Sequence, residues 1–130
     1  MPGIARSLLT VSLSLVASLA VAGDAGRGRA LLADRSKSLC VLCHVVPGAP
    51  AHLQGSLAPD LHGVGARFSA AELAAHITAP ERFNPDTIMP AYARTEGLTN
   101  VNHVWIGKPV LQPGQIDDII AYLLTLKDPP

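Results

Sequence analysis

The chain has 130 residues, with ten Lys or Arg against ten Asp or Glu, and therefore carries no net charge at neutral pH. This balance argues against nucleic acid or an anionic membrane surface as a partner, because both attract strongly basic proteins. Aromatic residues make up only 4% of the sequence, so one small domain must form its core from few large side chains.

The first 22 residues have the pattern of a secretory leader. Arg6 supplies a positive charge, and a long apolar stretch follows it. Ala20-Val21-Ala22 is a small-x-small sequence of the kind that signal peptidase cleaves, and the stretch is short for a membrane-spanning helix. We expect cleavage directly after Ala22, export to the periplasm without a membrane span, and a single domain over residues 23–130.

A short first helix is predicted after Asp24, which is a suitable N-cap. One face of this helix carries two small and two large residues, Ala25, Gly28, Leu31 and Leu32. A glycine within a helix costs about 1 kcal/mol relative to alanine, so Gly28 suggests a packing purpose. We expect another helix to cross closely there, with Gly28 near Tyr122 or Leu126.

The central motif of the sequence is Cys40-Val41-Leu42-Cys43-His44. Two thiols at this spacing, followed directly by an imidazole, are what covalent attachment of a c-type haem requires. The thiols bond to the porphyrin vinyl groups, and the histidine ligates the iron. The motif therefore predicts one haem c, held by Cys40 and Cys43, with His44 as an axial ligand.

Three other uses of the two cysteines are less consistent with the sequence. A thioredoxin-type dithiol normally follows a strand in a βαβ unit, and the sequence has no such pattern. Structural zinc needs four nitrogen or sulfur ligands, whereas the chain contains two cysteines. A disulfide between Cys40 and Cys43 would leave His44 unexplained.

Residues 45 to 67 contain seven glycines and prolines and read as one long irregular stretch. Such a stretch is expected where the backbone wraps around a cofactor instead of pairing in a sheet. Pro59 lacks an N–H, so this segment offers carbonyl groups, one of which would accept the Nδ1–H of His44 and fix its ring. An ordinary turn is the alternative interpretation.

A second helix is predicted from a capping box of Ser69 and Glu72, and it should stop before Pro80. A proline-flanked loop then carries Met89, the only methionine outside the predicted leader. A thioether is a soft ligand that favours ferrous iron and raises the haem potential. We therefore expect Met89 to be the second axial ligand, the alternative being a methionine that fills a gap in the core.

The most regular helix lies near the C-terminus. Its apolar stripe consists of Ile116, Ile119, Ile120, Leu123 and Leu124. Pro113 suits its first turn and Lys127 its last turn. Asp117 and Asp118 are expected to face solvent and need no catalytic role.

Four further histidines are possible rival ligands, namely His52, His62, His76 and His103. Each is expected to be exposed or hydrogen-bonded. His103 and Trp105 form a pair of interest, because an indole N–H would suit a haem propionate; alternatively, Trp105 packs in the core. No strand pattern persists beyond Asn102 to Ile106, so the predicted fold class is all-α.

The chain resembles the class I cytochromes c in the order of its parts. These are a helix, Cys40-x-x-Cys43-His44, the 59–65 segment, a second helix, Met89-Pro90 and a last helix. The resemblance implies about three main helices and long loops that enclose one covalently bound haem. It also implies that His44 and Met89 are the axial ligands and that the Pro59 carbonyl is the partner of His44. Ala58 departs from the family, which often has glycine there.

Three longer stretches are similar to the SoxX family, which provides the mono-haem subunit of SoxAX cytochromes in sulfur-oxidising bacteria. They are 59–67, 84–92 and 107–123. The resemblance implies a heterodimer with a SoxA-like haem subunit that carries a reactive cysteine. In that family, thiosulfate is conjugated oxidatively to a cysteine of the SoxYZ carrier. This chain would relay the electrons to a downstream acceptor cytochrome.

The sequence favours a relay over a catalyst, because both cysteines are committed to haem and no acid–base constellation is evident. A free-standing electron shuttle is the main alternative, and an enzyme with an open iron position would require Met89 to be off the iron. A subunit should expose an apolar patch that its partner buries, with the 92–111 segment as the candidate. A shuttle should instead present a small polar face.

Overall fold

A computed structural model describes residues 23–129, which form helices and short turns joined by long loops. The helices are α1 (Ala25–Ala33), α2 (Val64–Arg67), α3 (Ala70–Thr78) and α4 (Pro113–Leu123). No strand occurs within the described part of the chain. The all-α prediction with three main helices is confirmed, and α2 is an additional single turn. The predicted leader and its cleavage point lie outside the described residues.

None of the helices between residues 23 and 129 has the length and apolar character needed to cross a membrane.

The helix ends follow the predicted caps with one exception. Asp24 accepts a hydrogen bond from the backbone of Arg27 and caps α1, and the Ser69–Glu72 capping box opens α3. Helix α3 ends at Thr78, before Pro80, as predicted. Helix α4 begins at Pro113 but ends at Leu123, earlier than the position of Lys127 suggested. The ammonium of Lys127 instead donates to the backbone carbonyl of Gly65 and ties α2 to the end of the chain.

Helices α1 and α4 make the most extensive helix–helix contact. Gly28 lies at their crossing, where a Cβ atom would be 1.9 Å from the carbonyl oxygen of Asp118. The predicted close crossing is therefore confirmed. Its position differs, because the atoms nearest to Gly28 belong to Asp118 and Ile119 instead of Tyr122 or Leu126.

The expectation that Asp118 faces solvent is wrong. Asp118 is only 6% exposed, and its carboxylate accepts hydrogen bonds from Arg27 Nε at 2.8 Å and Nη2 at 2.9 Å. The backbone N–H of Asp24 donates to the same carboxylate at 2.7 Å. The residue lies beside the apolar stripe of α4, but α1 crosses at that point and covers it. Asp117, one residue earlier, is exposed as predicted.

The core lies between α1, α3 and α4 and continues into the loops around them. Its buried apolar side chains are Leu32, Val41, Val46, Val64, Leu73, Ile77, Tyr92, Leu111, Ile116, Ile119, Ile120, Tyr122 and Leu123. Of the five stripe residues predicted for α4, four are buried and Leu124 is packed at the core edge. The core therefore borders the segments that carry the cysteine motif and Met89.

The Arg27–Asp118 pair predicts a loss of stability in acid. Hydrogen bonding from Arg27 lowers the pKa of the Asp118 carboxyl below its ordinary value of 3.8. A group whose pKa is lower in the folded protein contributes stability above its unfolded-state pKa and loses it as the pH falls through the folded-state pKa. We expect Asp118→Asn to be less stable than wild type near neutral pH, with a difference that shrinks below about pH 4.

Urea denaturation of the holoprotein at several pH values measures this difference. Asp117→Asn is the matched control, because Asp117 is the exposed neighbour on the same helix turn. A deficit of Asp118→Asn that stays constant from about pH 7 to about pH 3 would show that the carboxylate charge contributes nothing.

Candidate haem site

The Cys-x-x-Cys-His motif follows α1 after a connection of six residues, 34–39. Leu39 has a φ of 61°, a left-handed conformation that leucine rarely adopts, and it reverses the chain just before Cys40. The motif then forms a 3-10 turn over Cys40–Leu42, and the backbone N–H of His44 donates to the Cys40 carbonyl at 2.9 Å. Both cysteines are free, so the structure contains no disulfide between them.

The loop after the motif returns along it. Three backbone hydrogen bonds join the two segments: Gly55 to Val41 at 2.8 Å, Ala58 to Cys43 at 2.9 Å and Leu61 to Val45 at 3.0 Å. A Cβ atom at Gly55 would lie 2.1 Å from the Leu42 carbonyl oxygen, so the close approach needs glycine. The irregular 45–67 stretch is therefore ordered by pairing with the motif and not by a sheet.

His44 makes the contact that the sequence predicts. Its Nδ1 lies 2.6 Å from the carbonyl oxygen of Pro59. A carbonyl oxygen only accepts, so Nδ1 carries the proton and donates. The lone pair of the imidazole is then on Nε2, the nitrogen suited to ligate a metal.

An apolar cavity of about 420 Å³ lies beside the motif, and a second cavity of about 330 Å³ adjoins it. Both volumes fall in the range of small-molecule and cofactor sites. The residues shared by the two cavities are Cys40, His44, Pro59, Asn84, Thr87, Met89 and Tyr92. Aliphatic side chains from α1, α3 and α4 form the deep wall of the larger cavity, including Leu32, Leu73 and Ile119. The lining fits a large, flat and mostly apolar group.

Met89 lies in a different segment of the chain, the loop after α3. Its backbone N–H donates to Thr87 Oγ1 at 3.1 Å, and its side chain is partly buried against the core. Met89 and His44 line both cavities, and Cys43 lines the smaller one. The structure thus brings together all five residues singled out from the sequence: Cys40, Cys43, His44, Pro59 and Met89.

The polar groups of the site are few. Arg67 is the only Lys or Arg among the described residues that line the cavities, and it donates to the His62 carbonyl at 2.7 Å. Asp60 accepts hydrogen bonds from the backbone and ring of His62, and these lower the pKa of its carboxyl. Burial raises the pKa of the Cys40 thiol, so the free sulfur is neutral before attachment.

Tyr92 is a site residue to which the sequence analysis gave no role. It is 4% exposed and lines both cavities, and its hydroxyl donates to the carbonyl of Ser38. Burial raises the pKa of this phenol well above its usual value, so the hydroxyl keeps its proton and remains a donor. Tyr92 therefore connects the Met89 loop to the turn before Cys40. Its place two residues after Pro90 carries no pattern from which this contact follows.

The expectation that Trp105 packs in the core is wrong, because the residue is 55% exposed. Trp105 lines neither cavity, and a bond from its indole to a haem propionate stays a prediction. It belongs to a 3-10 turn, His103–Trp105, whose first backbone groups are capped by the side chain of Asn102. Two backbone hydrogen bonds order this turn, from Trp105 N–H to the Asn102 carbonyl at 2.8 Å and from Lys108 N–H to the Trp105 carbonyl at 3.0 Å.

The four rival histidines differ in their surroundings. His52 and His103 are exposed, and the Nδ1 of His62 lies 2.6 Å from Asp60 Oδ1, as the expectation of exposure or hydrogen bonding requires. The expectation is wrong for His76, which is partly buried in the wall of the larger cavity. Within residues 23–129, no group of three or more His, Cys, Asp or Glu is placed to hold a metal ion.

Comparison with known proteins points in one direction. The family model described as Cytochrome c matches residues 25–127. One chain in the crystal structure of SoxXA from P. pantotrophus is similar to this chain with a TM-score of 0.74 and 28% sequence identity. That similarity covers 91% of this chain and 90% of the other. The search among curated proteins gave no match.

The contact between Tyr92 and Ser38 predicts a measurable loss of stability for Tyr92→Phe. Ser38 is fully buried, and the only other described group near its carbonyl is the Cys40 sulfur at 3.7 Å, which has no proton once it is bonded to haem. Removing the hydroxyl therefore leaves a buried carbonyl unpaired, which costs about 1–3 kcal/mol.

Chemical denaturation of the holoprotein measures this loss. Tyr122→Phe is the matched control, because its hydroxyl donates at 3.1 Å to the Pro47 carbonyl in a less buried place, and we expect it to cost about 1 kcal/mol or less. Equal losses for the two variants would contradict the role assigned to Tyr92.

Proposed function

The chain belongs to the cytochrome c family and binds one haem c covalently, and we propose that it is the electron-relay subunit of a SoxAX-type complex. The observation that carries this proposal is the likeness to a chain of SoxXA over nearly the full length of both chains. The three sequence stretches that resemble the SoxX family add to it, because all three, 59–67, 84–92 and 107–123, contribute residues to the larger cavity.

The proposed site holds the haem through residues of three segments. Cys40 and Cys43 would form the thioether bonds to the haem, and His44 Nε2 and the Met89 sulfur would ligate its iron. Arg67, at the edge of the larger cavity, suits a haem carboxylate. When bound, the haem supplies reversible one-electron transfer. A thioether ligand raises the potential, which suits a chain that accepts electrons.

The proposed reaction of the whole complex joins thiosulfate to a cysteine thiol of a SoxYZ carrier. An S–S bond forms, and two electrons and one proton are released. This chain carries the electrons one at a time, since it binds a single haem, and passes them to an acceptor cytochrome. Both of its cysteines are used for attachment, so the reactive cysteine belongs to the SoxA-like partner. The predicted leader places this chemistry in the periplasm.

An apolar surface supports a lasting partner over a free-standing shuttle. We call it the 98–110 surface, and its exposed members are Leu98, Val104, Trp105, Ile106 and Val110. It lies within the 92–111 segment that the sequence analysis selected. Exposed apolar patches mark interaction sites, and tryptophan is enriched among the residues that contribute most to binding. We propose that the SoxA-like subunit buries this surface, whereas a shuttle would present a polar face.

Ligation by Met89 predicts the spectrum of a variant. We expect Met89→Ala to lose the charge-transfer band of a methionine-ligated ferric haem and to have a lower reduction potential, because the thioether favours ferrous iron. Optical spectroscopy and a redox titration measure both effects. Leu53→Ala is the control and should leave both unchanged, because Leu53 is an exposed apolar residue that lines neither cavity. An unchanged Met89→Ala spectrum would contradict the ligation and favour an enzyme with an open iron position.

The 98–110 surface predicts the effect of a charge at its tryptophan. We expect Trp105→Glu to weaken binding of the SoxA-like subunit about 30-fold, since tryptophan is enriched among the interface residues that contribute about 2 kcal/mol or more. Isothermal titration calorimetry with the two purified subunits measures this affinity. The haem spectrum should not change, because Trp105 lines neither cavity.

Leu53→Glu is the matched control, because Leu53 is an exposed apolar residue outside the 98–110 surface. Wild-type binding by Trp105→Glu would show that the partner docks elsewhere. No binding by the wild-type chain would favour the free-standing shuttle.

A further inference from the structure

A second histidine lines the haem cavity and has no part in the proposed site. All five histidines of the chain lie in the described residues, and only His44 and His76 line either cavity. His76 is in the last turn of α3, and it lines the larger cavity together with Met89.

Aromatic stacking, and not hydrogen bonding, positions the His76 ring. The ring lies edge-on to Phe68, with centroids 5.1 Å apart and an interplanar angle of 65°. It stacks on Phe83 with centroids 3.7 Å apart and an angle of 21°. Among residues 23–129, no group forms a hydrogen bond or an ion pair with this ring. Its nitrogens are therefore not committed to a protein partner, in contrast to those of His44 and His62.

We propose that His76 is an alternative ligand for the sixth position of the haem iron, which it occupies when Met89 is removed or displaced. A neutral imidazole is a good ligand for haem iron. In the exchange a thioether sulfur leaves and an imidazole nitrogen binds, with no transfer of a proton or an electron. Because imidazole does not favour ferrous iron as a thioether does, the exchange lowers the potential of the haem.

The attachment of the Met89 loop makes this exchange feasible. Phe83, which covers one face of the His76 ring, precedes Met89 by six residues in the same loop and is 51% exposed. Within the loop, Met89 N–H donates to Thr87 Oγ1, and Thr87 N–H donates to the Asn84 carbonyl, each at 3.1 Å. Departure of Met89 from the iron therefore loosens the same segment that holds His76 against the cavity wall. The inference depends on the proposed ligation by Met89.

The test compares two holoprotein variants, Met89→Ala and Met89→Ala combined with His76→Phe. We expect the single variant to lack the methionine charge-transfer band but to keep a six-coordinate, low-spin ferric spectrum. The double variant should become high-spin, because phenylalanine preserves the stack and offers no ligand. A tethered ligand competes at a high effective concentration, so half-saturation with cyanide should require about tenfold more cyanide, or a larger excess, in the single variant.

Met89→Ala combined with His103→Phe is the control, and it should remain low-spin because His103 is exposed and lines neither cavity. A high-spin Met89→Ala variant that binds cyanide as tightly as the double variant would overturn the proposal. A low-spin double variant would also overturn it, since another group would then hold the sixth position. A methionine band that persists in Met89→Ala would instead refute ligation by Met89. Circular dichroism verifies that each variant folds. If the smaller side chain of Met89→Ala prevents folding, Met89→Leu replaces it in the comparison.

Discussion

The hydrogen bond between His44 and the Pro59 carbonyl is the constraint on which the rest of the site depends. It fixes the proton on Nδ1 and so leaves the lone pair on Nε2, the nitrogen that we propose as the iron ligand. It also sets where the loop after the motif must return. Gly55, Ala58 and Leu61 pair with the backbone of the motif along that return path. One contact thus determines both the chemistry of the ligand and the course of a segment that has no regular secondary structure.

The cavity also shows how so small a domain uses its few large side chains. The sequence is poor in aromatic residues, and several that it has lie at the cavity, including Phe68, Phe83 and Tyr92. Beside the motif, the apolar faces of the helices do not pack directly against one another. They line a cavity of cofactor size instead. The porphyrin completes the core, and the α1–α4 crossing at Gly28 provides the main contact that does not involve it.

Local signals in the sequence predicted most of this arrangement. The helix caps at Asp24 and Ser69 are signals that act over a few residues. The spacing of the cysteines and the carbonyl at Pro59 follow from a strong chemical requirement. Asp118 and Tyr92 were not predictable in this way, because their partners lie far away in the chain: Arg27 is 91 residues from Asp118, and Ser38 is 54 residues from Tyr92. Periodicity places a side chain on a helix face but does not show which segment will cross it.

The burial of Trp105 and His76 also did not follow from the sequence: Trp105 is more exposed than expected, and His76 is more buried. A tryptophan is normally buried, but this one lies in a short turn at the surface, where the proposed partner would cover it. A lone histidine is normally exposed or hydrogen-bonded, but this one lies in the cavity wall. Its ring packs against Phe68 and Phe83, which are eight and seven residues away in the sequence. Residue type alone therefore misplaced both, and each departure coincides with a proposed functional surface.

The most direct measurement is the mass and haem content of what accompanies the protein when a C-terminally tagged copy is purified from the periplasm of its native host during growth on thiosulfate. We expect a stable one-to-one complex with a second chain that carries its own haem. Recovery of this chain alone, with a single haem, would contradict the subunit proposal and identify the protein as a mobile electron carrier.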